Sequence, residues 1–95
     1  MNVAILILKR KKNKPLSEKE AKYIIEKIDI NLIQTWIRNV LKIHIEICYD
    51  YEYDSTSYHY YLRKIDDEEG RVWKKDYATY EECLGEAITE VLTNI

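Results

Sequence analysis

Ninety-five residues, 46% hydrophobic and 34% charged, suffice for one modest core but not for a large enclosed active-site cleft. Two Gly, one Pro and an aromatic share of 12% exclude collagen-like, low-complexity and disordered classes. The formal charge of −2 is unlike a compact nucleic-acid binder, yet it is unevenly spread: residues 1–48 carry +5 and residues 49–95 carry −7.

The chain opens on Val3–Leu8, a continuous aliphatic run that reads as a strand and as a candidate fourth strand of a sheet. A basic connector follows, Lys9, Arg10, Lys11, Lys12 and Lys14, closed by the break at Pro15. Residues 1–16 are thus expected to be strand plus connector, and residues 17–95 an α+β core, in a single domain. The opening does not resemble a signal peptide, because no positive region precedes the apolar run and the basic block stands where cleavage would fall. No stretch approaches the roughly 20 apolar residues of a membrane span. Cys48 and Cys83 are too few for a disulfide scaffold, so two free thiols, a cytoplasmic location and no membrane contact are expected.

Ser17-Glu18-Lys19-Glu20 is a capping box, and Ala21, Ile24, Ile25 and Ile28 form the stripe of a helix over about residues 18–28. Asp29 or Asn31 can cap a second helix over roughly 32–42, with Leu32, Ile33, Trp36, Ile37, Val40 and Leu41 at helical spacing. The two could equally form one kinked helix. At Ile43 the period falls to 2. Ile43, Ile45, Ile47, Tyr49, Tyr51 and Tyr53 take one face of a strand, while His44, Glu46, Cys48, Asp50 and Glu52 take the other. Turn residues Asp54–Ser57 lead to a second strand, about Tyr58–Ile65. The polar run Asp66–Gly70 precedes a third, Arg71–Lys75. Thr79 caps a last helix whose Leu84, Ala87, Ile88, Val91, Leu92 and Ile95 share a face, with Gly85 as its weak point. The expected fold is α+β: a three-stranded antiparallel sheet, with the N-terminal strand as a candidate fourth. Helices lie on one face, and the order from residue 31 is α-β-β-β-α.

Little in this chain points to catalysis. His44 and Cys48 share a strand face but lie about 13 Å apart along it, too far for one metal ion. No nucleophile elbow, phosphate-binding glycine loop or H-E-x-x-H occurs, so no catalytic residue, cofactor or metal site is assigned. The tyrosines are the anomaly: six of nine lie between residues 49 and 61, and Phe is absent. Cross-strand stabilisation accounts for some of them. Tyr49, Tyr51, Tyr53, Tyr58, Tyr60 and Tyr61 are also the candidate protein interface, since one thin core cannot enclose every ring. Interspersed Asp50, Glu52 and Asp54 would repel phosphate.

Leu32-Ile33-Gln34-Thr35-Trp36-Ile37-Arg38 running into Lys42-Ile43-His44-Ile45-Glu46-Ile47, and Tyr77-Ala78-Thr79-Tyr80-Glu81-Glu82-Cys83-Leu84 followed by Ala87 and Leu92, resemble a known pattern. It belongs to small uncharacterised proteins of Bacteroidetes genomes and their phages and prophages. The resemblance covers about residues 31–92, and Cys83 stands where that pattern has Ala. It implies a phage or mobile-element provenance and carries no activity. The α-β-β-β-α order is also similar to double-stranded-RNA-binding domains, and the β-β-β-α ending with a Thr-capped helix resembles the arm-binding domains of phage-type integrases. Glu81, Glu82 and Glu86 stand where the RNA-binding domain has its lysines. The expectation is therefore a non-enzymatic accessory protein acting by protein–protein contact, with a homodimer as one form. The alternative is a nucleic-acid-binding module using Lys9, Arg10, Lys11, Lys12, Lys14 and exposed tyrosines.

Overall fold

Three helices precede a three-stranded sheet and a fourth helix closes the chain, in a computed structural model that describes residues 2–52, 55–65 and 71–95. The helices are α1 (Val3–Lys11), α2 (Glu18–Lys27), α3 (Ile30–Trp36) and α4 (Tyr80–Asn94); the strands are β1 (Ile43–Glu52), β2 (Ser55–Lys64) and β3 (Arg71–Tyr77). The sheet is antiparallel in the order β1-β2-β3. The fold is α+β, with α-β-β-β-α from residue 30 onward.

The N-terminal segment corrects the expectation: Val3–Leu8 is helical and adds no strand to the sheet. Two physical signals favour the helix. The Asn2 side chain accepts hydrogen bonds from the amides of Ala4 and Ile5, capping the N-terminus, and Lys9, Arg10 and Lys11 occupy the last turn, where the dipole favours cations. The basic residues thus complete the helix instead of connecting it to the core. Leu6 and Arg10, four residues apart, form its buried stripe.

Ser17 and Glu20 make the capping box of α2 in both directions, and Asp29 caps α3 through the Asn31 amide. The two helices are separate. A π-helical turn, Ile37–Leu41, extends α3 and ends at Lys42, whose φ of 59° lies in the left-handed region. The wider i→i+5 turn rotates later side chains off the core stripe. Ile33 and Ile37 are buried, whereas Trp36 and Leu41 are half-buried and Val40 is exposed. β2 begins earlier than expected, with Ser55 already paired to Glu52; Tyr53, Asp54 and the run Asp66–Gly70 lie outside the described residues.

The strand register places Ile43 and Ile45 on the helix side together with Tyr60 and Leu62, all buried; Glu46 is exposed on the opposite side. Helix α4 is the centre of the core. It buries two adjacent stripes, Cys83/Ala87/Val91 and Leu84/Ile88/Leu92, which is more than one sheet face can cover. α4 packs on the sheet on one side and on α2 and α3 on the other, and α1 packs on α2. Each fully buried side chain of the Ile88 or Leu92 kind contributes about 1.5–3 kcal/mol relative to exposure.

Candidate functional site

The tyrosines separate into distinct environments because the strands outrun the helix. Ten residues of β1 span about 33 Å, against about 22 Å for the fifteen of α4. Along the helix-side face of β1, exposure rises from 3% at Ile43 and 4% at Ile45 to 56% at Tyr49 and 67% at Tyr51. The core face simply runs out of helix. Tyr49 meets Tyr58 across the strands edge-on, with ring centroids 5.2 Å apart, and Tyr58 meets Tyr80, at the start of α4, at 6.3 Å. These rings form an aromatic rim where α4 begins.

Tyr60 is not part of that rim. It is 4% exposed and its ring lies 6.1 Å from that of Tyr77, which the register of β2 and β3 pairs with Tyr58, beside a register shift between Tyr58 and Tyr60. Burial, then Tyr77, Glu90 and Glu86, push its phenol far above the usual range. Tyr61 lies on the other face of the sheet, half-buried, with the Arg63 guanidinium 5.3 Å from its ring centre. Tyr53 lies outside the described residues. Of the six candidate rings, Tyr49, Tyr51 and Tyr58 therefore share one exposed or half-exposed surface, and Tyr80 joins it.

The basic block is likewise divided. Lys9 pairs with Glu20 of α2 at 3.1 Å, and Arg10 is buried at 2% exposure against the last turn of α4. Lys11, Lys12 and Lys14 are exposed. Tyr80 opens α4 and Val91, the partner of Arg10, lies eleven residues later, about 16 Å along the axis. The basic residues and the aromatic rim thus stand at opposite ends of α4.

On the uncovered face of the sheet His59 is hydrogen-bonded through Nδ1 to the Asp50 carboxylate, and Cys48 stands opposite His59 in the register. Burial, then Glu46 and Asp50, push the Cys48 thiol up, so it is the reverse of an activated nucleophile. Cys83 is free and buried against the sheet, its thiol pushed up to about 11 chiefly by desolvation. Among the described residues no three His, Cys, Asp or Glu side chains are grouped to hold a metal ion.

A cavity of about 210 Å³ lies between the four helices, lined by Ile7, Ile24, Ile28, Leu32 and Trp36 with Arg10 in its wall. The sequence reading missed it, because assigning residues 3–8 to a strand removed one wall. The available signal was Asn2 as a cap ahead of Leu6 and Arg10 at i,i+4 spacing. Among the described residues, no helix is long and apolar enough to cross a membrane. Comparison with protein-family models, with curated proteins and with solved structures finds no match to this chain.

Proposed function

We propose that the protein is a non-enzymatic accessory protein that docks a partner protein on the aromatic rim Tyr49–Tyr51–Tyr58–Tyr80. The observation that carries this reading is the overhang of β1 beyond α4, which leaves rings on a core-type face uncovered. Tyrosine suits such a surface, having an apolar body to bury and a hydroxyl for the polar edge. Glu81 and Glu82, exposed beside Tyr80, give the region a negative field that disfavours phosphate. A protein partner presenting basic side chains around an apolar patch is the complementary surface; in a homodimer the two rims would instead meet ring on ring. An accessory role of mobile-element origin in the cytoplasm is part of the same proposal.

The test is capture from a lysate of the source cells by the full chain and by two variants. Tyr49→Ser/Tyr51→Ser should lose the captured partner, or the dimer seen by sedimentation, while the fold loses only the roughly 0.2–1 kcal/mol of the Tyr49–Tyr58 contact. Lys11→Glu/Lys12→Glu should leave both intact. Salt-dependent nucleic-acid binding that survives the tyrosine changes and disappears with the lysine changes would replace this reading with the alternative.

A further inference from the structure

Arg10 is a buried cation without an anion. Its side chain is 2% exposed, and among the described residues no carboxylate pairs with it. Its hydrogen-bond partner among the described residues is a backbone carbonyl, Val91 O, which accepts from Nε at 3.4 Å and Nη2 at 3.1 Å. The C-terminus of α4 supplies a partial negative charge of about one half at that point, short of a full counter-charge. These two bonds use one edge of the guanidinium. The other edge, Nη1 with the second hydrogen of Nη2, has no protein partner among the described residues; no buried side-chain nitrogen among them is left unsatisfied, so this edge keeps a small accessible surface, and its fork matches a carboxylate in bidentate geometry.

The same residue lines the helical cavity, whose remaining wall is aliphatic and indole. A dry cavity of about 150 Å³ already holds a benzene-sized molecule, so about 210 Å³ is scaled for an octanoate-sized chain. Leu32, at the rim, is 64% exposed, so the cavity is open to entry from solvent. We infer that this cavity binds a medium-chain monocarboxylate, its alkyl chain among Ile7, Ile28, Leu32 and Trp36 and its head group on the free edge of Arg10. Each half of such a ligand needs the other. An anion alone buries no apolar surface, and a neutral chain leaves the guanidinium uncompensated. This site is separate from the aromatic rim, and neither reading rests on the other.

Isothermal titration of the full chain with octanoate, 1-octanol and octylamine tests the inference. Octanoate is expected to bind at one site, about tenfold or more tighter than octanol, with octylamine weaker still. Arg10→Met, which keeps the length and apolar bulk, should reduce octanoate to the affinity of octanol. The Arg10 Nε–Hε signal in NMR should shift with octanoate and stay in place with octanol. Leu32→Glu changes an exposed position and should weaken octanoate about threefold or more without lowering stability, so the decision does not depend on the folding of Arg10→Met. Equal affinity for octanoate and octanol, no saturable octanoate binding, or an Arg10→Met protein that binds octanoate like the parent would each overturn it.

Discussion

Arg10 and Val91, eighty-one residues apart, are joined by a hydrogen bond in which Arg10 Nη2 donates to the Val91 carbonyl at 3.1 Å. Beside it the Leu16 amide donates to Leu92 O at 2.9 Å. The last carbonyls of a helix have no partner within it. Here the N-terminal segment supplies two of them, tying α1 and the following loop to the end of α4.

Arg10→Ala is therefore expected to destabilise the protein by about 2–4 kcal/mol, since it removes a charged donor from Val91 O and enlarges an existing cavity. Arg10→Met should cost clearly less, because it refills the volume and removes a buried charge. Urea unfolding of the three proteins checks the order. A loss below about 0.5 kcal/mol for the Ala variant would mean α1 is a bystander to the core.

Gly85 sits inside α4 with no atom within 4 Å of where a Cβ would stand. Nothing in the packing requires glycine there. Gly85→Ala should stabilise the protein by about 0.5–1 kcal/mol by removing backbone entropy from the unfolded chain. A decrease in the denaturation midpoint would refute this.

The two thiols should separate under an aromatic disulfide reagent at pH 8. Half-buried Cys48 is expected to react slowly and Cys83 only on unfolding, because burial raises both thiols and encloses Cys83 fully. Two equivalents consumed rapidly under native conditions would contradict that packing. The sign for stability follows: Cys83, raised from its ordinary 9.0 to about 11, favours the fold below pH 9 and loses that contribution as pH climbs toward 11.

Glu20 titrates in the opposite sense. The Ser17 amide bond, then Lys9, holds its carboxyl below the usual glutamate range. Its contribution is present above the unfolded value of about 4.5 and is lost as pH falls through the lower folded value. Side-chain NMR should place the Glu20 midpoint below the ordinary glutamate value, and Lys9→Met should raise it. A Glu20 midpoint at the ordinary value would show that the capping box and the Lys9 pair do not persist in solution.

What this sequence determines by itself is local. Ser17 and Glu20 write the start of α2, Thr79 the start of α4, and the period of 2 from Ile43 sets which side of β1 faces the helices. These signals are carried by neighbours within four residues, so no distant contact is needed to read them. Tertiary structure decided the rest. A six-residue aliphatic run is ambiguous between strand and helix, and packing of Leu6 and Arg10 against the core resolved Val3–Lys11 as α1. Tyr49 and Tyr60 stand on the same face of the hairpin with the same alternation, yet one is exposed and the other buried. That difference is one of reach: a helix rises about 1.5 Å per residue and a strand about 3.3 Å, so where α4 ends on the sheet is a property of the assembled layers and of no single segment.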